Sequence, residues 1–361
     1  MTDHPYRRQP DRAFWSRAVS TRFNAADVAS ATEPLLRADD RIVSAGSCFA
    51  SHMIPWLEAA GFNYVRAERS HPRFLHLPEN LGYASFSAAY GNIYTARHLR
   101  QLLERAYGRF APVEDRWYVG SHVIDPFRPG LRYPARSDRE FDLLTAQHLE
   151  AVRAAISGAT VFVFTLGLTE AWESVADGAV FPACPGTIAG TFSPEKHRFH
   201  NFGVEEVRED LHSFITLLRT HNPGVRLILT ISPVPLVATA TGEHVLVATT
   251  YSKSVLRVAA ADVAACEPSV TYFPAFEIVT GPQAPETYFA EDRRHVTQEG
   301  VNAVMKAMLA RSDVIPGRER IGDLSSPRDS RTLPEAVSAA GALSRLVAEA
   351  ECDEILSDVS T

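Results

Sequence analysis

The sequence predicts an α/β chain built as three layers around a mostly parallel sheet, and three observations predict it. Short apolar runs recur along the middle of the chain, each continuous rather than alternating, as expected of strands covered on both faces. Stretches with apolar residues at helical spacing separate them. The resulting strand–helix alternation is the pattern of parallel strands joined by right-handed crossovers. The core should run from about residue 40 to 312.

The first strand is Arg41-Ile42-Val43-Ser44-Ala45, and a short helix should begin near Phe49. Leu99, Leu102, Leu103 and Ala106 share one helix face, as do Leu144, Leu149, Val152 and Ile156. The second strand is Thr160 to Thr165, followed by a helix through Val207, Leu211, Phe214, Ile215 and Leu218. Arg226 to Ile231 forms the third strand, and Val255, Leu256, Ala259 and Val263 line the next helix. Val270 to Phe273 is the fourth strand; a last helix, N-capped by Thr297, carries Val301, Val304, Met305 and Met308. Two stretches are irregular, about 60–140 and 176–203. Long ordered loops in a compact domain are usually functional, so both are expected to wall a substrate cleft. Residues 1–37 form an N-terminal arm and 313–361 a C-terminal extension with a weak helical pattern from Leu333 to Leu356.

Of the 361 residues 45% are hydrophobic and 22% charged, and the formal charge is −7. Nucleic acid and anionic membranes favour clustered Lys and Arg, so neither is expected as a partner. No window reaches the roughly 20 apolar residues of a membrane span, and the polar N-terminus lacks the apolar run of a secretory signal. The four cysteines, Cys48, Cys184, Cys266 and Cys352, have no C-x-x-C spacing. They suggest neither zinc nor a disulfide framework but reduced thiols in a cytoplasmic protein.

Candidate chemistry gathers at strand ends. Gly46-Ser47 stands where the first strand stops, at the carboxyl edge where open α/β sheets bind ligands. Gly46 permits a sharp turn, and helix N-terminal amides nearby can stabilise developing negative charge. N-capping is the commoner use of such a serine. Asp292-Arg293-Arg294-His295 precedes the last helix. There Asp292 can accept from the imidazole and leave His295 free to take a serine proton; a solvated charged loop is the plainer alternative. Gly167, Thr169 and Glu170 follow the second strand, either facing the cleft or capping the next segment. Asn92 and Asn201 are amides in loops before helices, equally placed as polar cleft residues or turn formers. Cys48 beside Ser47 is a rival nucleophile, though free cysteines are commonly buried and a core role is expected.

Gly46-Ser47-Cys48-Phe49-Ala50 resembles the motif that names the GSCFA-domain family, which is similar to the SGNH/GDSL hydrolase superfamily. Tyr90 to Ala96, Thr165 to Glu170, Ile231 to Leu236, Tyr251 to Ser254 and Arg294 to Thr297 also resemble that family. The resemblance spans roughly 38–312 and implies a flavodoxin-like sheet in an SGNH-hydrolase-like sandwich. Ser47 takes the place of the superfamily's serine, and Asp292 and His295 that of its D-x-x-H. It also implies an oxyanion hole of the serine amide, a glycine amide matched here by Gly91, and an asparagine. Thr169 departs from this pattern, standing where the superfamily's G-x-N-D block has Asn. Either its hydroxyl suffices, or Asn92 or Asn201 supplies the donor, or activity is weak.

The leading expectation is a serine-dependent ester hydrolase or O-acyltransferase acting on a small-molecule or carbohydrate ester. It needs no metal and no organic cofactor. The alternative is a non-catalytic module binding a glycan or a protein partner. A nucleotide-binding protein fits less well, since the first strand is not followed by G-x-G-x-x-G or G-x-x-x-x-G-K-[ST].

Overall fold

Every residue of the strand Val161–Leu166 is buried, and so are all but the first residue of the strands Arg41–Gly46 and Arg226–Ile231. The computed structural model describes residues 4–29, 33–69, 82, 83, 85–131 and 134–313; the helix expected over 333–356 lies outside them. In chain order, α1 (Ala25–Val28) precedes β1 (Arg41–Gly46), α2 (Cys48–Ser51), α3 (Ile54–Ala59), β2 (Asn63–Tyr64) and α4 (Ala96–Ala106). The hairpin β3 (Trp117–Val119) and β4 (His122–Ile124) leads to α5 (Asp138–Gly158) and β5 (Val161–Leu166). Three short strands follow, β6 (Glu170–Ser174), β7 (Val180–Phe181) and β8 (His197–Asn201), and then α6 (Val204–His221). β9 (Arg226–Ile231), α7 (Val245–Cys266), β10 (Val270–Phe273), α8 (Ala275–Thr280) and α9 (Gln298–Ala310) complete the described chain.

The fold is mixed α/β, with a central five-stranded sheet in the order β2-β1-β5-β9-β10 and every pairing parallel. Counting only these strands, the order is 2-1-3-4-5, so the winding reverses between β1 and β5. The short edge strand β2 carries no sequence signal, being two residues long.

Helix packing follows the apolar spacing. α4 packs on α5 and α6, and α6 on α7, whereas α9 packs on α8 and α1. The core they share with the sheet includes Ile42, Phe162, Phe164, Phe214, Leu229 and Met305. Each such side chain contributes about 1.5–3 kcal/mol by leaving water. Across the amino ends of the strands, Asp40 accepts from Thr160 (2.8 Å) and pairs with Arg226. Arg226 also donates to Leu35 O at 3.1 Å, and Leu35 N donates to Arg311 O at 2.8 Å. These bonds tie residues 35–40 to the end of α9.

A buried charged cluster fastens the loops on the β1 side. Glu68 bonds His148 Nδ1 (2.7 Å) and accepts from Ala89 N (2.8 Å), while Arg128 pairs with Asp125 at 2.8 Å. Burial raises the Glu68 carboxyl, but His148 and Arg128 outweigh it and hold it below its ordinary value. Among the described residues no helix is long and apolar enough to cross a membrane.

Candidate functional site

β1, β5 and β9 all end at one edge of the sheet, and a cleft of about 400 Å³ opens there. Ser47, Gly167 and Ser232, each just past a strand, lie on its wall. The strand order reverses between β1 and β5, the kind of crevice where open α/β sheets hold ligands.

The turn that presents Ser47 depends on its neighbour. Gly46 has φ +150°, and a side-chain carbon there would stand 2.6 Å from Thr165 O on β5. Only glycine lets β1 pass so close to β5 and turn at once. Ser47 occupies the N-cap position of α2, yet its hydroxyl caps nothing. It is 3% exposed and makes no hydrogen bond among the described residues, with His295 or any other group. The capping use is therefore not the one this structure makes of Ser47. α2 is a single turn, too short to supply the helix dipole expected beside it. Cys48 also differs from expectation: it is half-buried on the cleft wall rather than in the core. A one-turn helix starting at Cys48 lets both neighbours reach the cleft.

The loop before α4 is laced to both central strands. Ile93 N donates to Gly46 O (2.8 Å), and Gly167 N and Leu168 N both donate to Tyr94 O (2.9 and 3.2 Å). Tyr94 lines the cleft, whereas Gly91 and Asn92 are not among the described residues of its wall. Asn92 donates to the Tyr94 hydroxyl at 3.1 Å.

Thr169 does not face the cleft as an oxyanion donor. It is fully buried, and its hydroxyl donates to Asn201 Oδ1 at 2.6 Å. The carboxamide oxygen of Asn201 is thus held toward Thr169 and its NH₂ turned away. Thr169 caps no helix, because β6 begins at Glu170 and pairs antiparallel with β7 and β8. Glu170 is opposite Asn201, and Trp172 is opposite both Phe181 and Phe199, so these side chains share one sheet face. Glu170, Trp172, Phe181 and Phe199 line the cleft. Burial raises the Glu170 carboxyl above its ordinary value, against hydrogen bonds from Thr239 (2.7 Å) and Ala240 N (3.4 Å).

Residues 176–203 thus supply much of one wall. Among the described residues, the 60–140 stretch contributes Tyr94 and Pro129. Its other aromatics are mostly core: Tyr83, Phe86, Tyr90 and Trp117 are buried, the last beside Phe127 and Phe181.

Asp292 and His295 form a local pair, Nδ1 to Oδ2, with Asp292 Oδ1 also accepting from the Arg294 and His295 amides at 3.0 Å each. Burial pushes the Asp292 carboxyl up, but these bonds outweigh it and bring it to about 2. Both side chains are 43% exposed. Arg293 adopts φ +54°, and Arg294, between it and His295, reaches the cleft wall with Ser47. Asp292 and His295 themselves are not among the described residues of that wall, and no hydrogen bond joins Ser47 to His295.

Two residues beneath the cleft belong to α7. Ser252 Oγ accepts from Thr169 N (3.0 Å), and Lys253 Nζ donates to Gly167 O (2.7 Å). Lys253 is 4% exposed; burial brings its ammonium from 10.5 to about 7, with the positive Arg294 adding to the fall and Cys48 opposing it. The sequence carried a signal for it, a lysine spaced three and seven residues before Leu256 and Ala260 on the apolar face of α7. Among the described residues no cluster of three His, Cys, Asp or Glu could hold a metal ion.

An open parallel sheet with a buried serine at its switch point defines an α/β protein with a cleft at the strands' carboxyl edge. The chain belongs to the GSCFA family, whose model matches residues 41–308. No curated protein matches it. A solved structure, "The structure of a putative platelet activating factor from Streptococcus pneumonia", is similar at 16% identity and a TM-score of 0.26. The match covers 42% of this chain and 58% of that one, a likeness too slight to argue from.

Proposed function

We propose that this chain is a serine-dependent ester hydrolase or O-acyltransferase on a three-layer, flavodoxin-like sandwich of the SGNH type. The observation that carries the proposal is the Ser47 hydroxyl: buried, unbonded and on the wall of a cleft at the switch point. A buried hydroxyl without a partner forgoes about 1–3 kcal/mol, a cost that makes sense where a reacting group will occupy the space.

In the proposed reaction Ser47 Oγ attacks the ester carbonyl carbon as His295 Nε2 takes its proton. The carbonyl–alkoxy bond then breaks, the leaving alcohol takes that proton, and the acyl group stays on Ser47. Water, or an acceptor hydroxyl, then attacks the acyl carbon and gives its proton to His295; the acyl–Oγ bond breaks, the acid or new ester leaves, and Ser47 Oγ takes that proton back. Asp292 holds the imidazole by Nδ1 throughout. His295 closes on Ser47 when substrate fills the cleft, as catalytic hydrogen bonds commonly tighten on binding. Asn201, with its oxygen fixed by Thr169 and its NH₂ turned away, is our choice for the side-chain oxyanion donor. Gly91 N, the match implied by family resemblance, stays with it as a proposed amide donor.

The missing Ser47–His295 hydrogen bond favours a second reading, a glycan- or partner-binding module that keeps the cleft without turnover. A fluorophosphonate probe and p-nitrophenyl esters separate the two. Probe labelling at Ser47, with turnover lost in Ser47→Ala, supports the hydrolase. Equal turnover by wild type and Ser47→Ala, or a folded protein inert to both reagents, rejects it.

A further inference from the structure

The cleft has few free hydrogen-bonding groups along its length. Ser47, Cys48 and Arg294 are on its wall, and so are the exposed Ala238 and Ala240. Between them the polar wall groups are already engaged with the protein. Glu170 accepts from Thr239 and Ala240 N, Thr187 donates to Cys184 O (2.6 Å), and Ser232 Oγ accepts from Val234 N (3.3 Å). A sugar ring would need several such groups free.

What remains is apolar. Phe181, Trp172 and Phe199 stand side by side across β7, β6 and β8, and Leu168, Val234 and Leu236 line the same space. Trp172 is met edge-on by Phe192 (5.2 Å between ring centres) and by Phe199 (5.8 Å). It is thereby fixed as part of a wall rather than left as an open stacking platform.

Resting on the hydrolase reading, we infer that the cleft is an acyl-chain pocket and that the substrate is an ester of a linear, medium-length fatty acid rather than an acetylated glycan. The ester lies against Ser47 and the chain runs along the aromatic row toward Ala238. Ester and water give the free fatty acid and the alcohol, with no other reactant. A cavity of about 150 Å³ holds benzene, so about 400 Å³ holds roughly 16 non-hydrogen atoms by the same ratio. That is an ester group, the first few atoms of the alcohol and a chain of about eight to ten carbons. Each methylene removed from water is worth about fourfold in affinity for the transition state.

The test is kcat/KM of the full chain on p-nitrophenyl acetate, butyrate, octanoate and palmitate. Octanoate should exceed acetate by at least about 50-fold, and palmitate should fall below octanoate. Ala238→Trp, which adds bulk at an exposed position on the wall, should move the optimum to a shorter chain. Ser47-dependent turnover that is fastest on acetate, or still rising at palmitate, overturns the pocket and leaves the hydrolase reading standing. If no ester is turned over, the hydrolase reading falls and the pocket is read by binding alone, with sodium octanoate titrated against the tryptophan fluorescence of Ser47→Ala. A saturable change that Trp172→Phe removes supports the pocket; no change at millimolar octanoate overturns it.

Discussion

A single glycine decides whether Ser47 can stand where it does. At φ +150°, and with Thr165 O 2.6 Å from the position of a side-chain carbon, Gly46 tolerates no substitution without moving β1 away from β5. Gly46→Ala should destabilise the protein by at least about 2 kcal/mol. Its urea midpoint should fall well below that of Ser47→Ala, which removes only an unbonded hydroxyl. Equal midpoints for the two variants would refute the strained turn. The candidate residues were legible in the sequence because the signal was local: a glycine and serine at a strand end, and an aspartate three residues before a histidine. The Asp292–His295 pair lies within one loop, and spacing alone foresees it. Thr169 was not legible in the same way. Its hydroxyl points to Asn201, 32 residues on, and no local pattern encodes that distance.

At the scale of elements, the sequence revealed what burial on both faces demands and missed what a half-exposed sheet conceals. β1, β5, β9 and β10 were foreseen to within a residue at each end, since continuous apolar runs have few other interpretations. β6 and β8 were not, because Glu-Ala-Trp-Glu-Ser and His-Arg-Phe-His-Asn are mostly polar and neither continuously apolar nor strictly alternating. One face looks into the cleft; the other carries Glu173 and Arg198, an ion pair at 2.8 Å. This small sheet is what brings Thr169, just ahead of β6, against Asn201 at the end of β8. If Asn201 is the oxyanion donor, Asn201→Ala should lower kcat on an activated ester by about 10²–10³ with KM little changed. Thr169→Val, which frees the carboxamide to rotate, should lose less, roughly tenfold, with about 1 kcal/mol of stability. Thr169→Ser should restore both. An unchanged kcat in Asn201→Ala removes Asn201 from the mechanism.

For the whole molecule, the buried ammonium of Lys253 ties global stability to pH. Its value lies at 10.5 in an ordinary setting and at about 7 here. Below pH 7 folded and unfolded chains both carry the proton, and the folded chain bears the full burial penalty, on the order of 4–5 kcal/mol. Between pH 7 and 10.5 the folded chain has released the proton while the unfolded chain still holds it, so stability rises with pH across that window. Lys253→Met removes the titration while filling similar space. In urea unfolding at pH 6.5, 8 and 10, the variant should be more stable than wild type at the lowest pH, less the hydrogen bond to Gly167 O. The gap should close as pH rises. Other titrating groups are common to both proteins and cancel in the difference, so parallel profiles would refute the assignment. Lys253 and Ser252 together fix the Gly167–Thr169 turn from below, and through it one side of the cleft. A chain selected for stability alone would place an apolar residue at 253. Keeping a lysine there is the stability cost expected of a residue that serves the site, and Lys253→Met should gain stability at neutral pH while losing turnover.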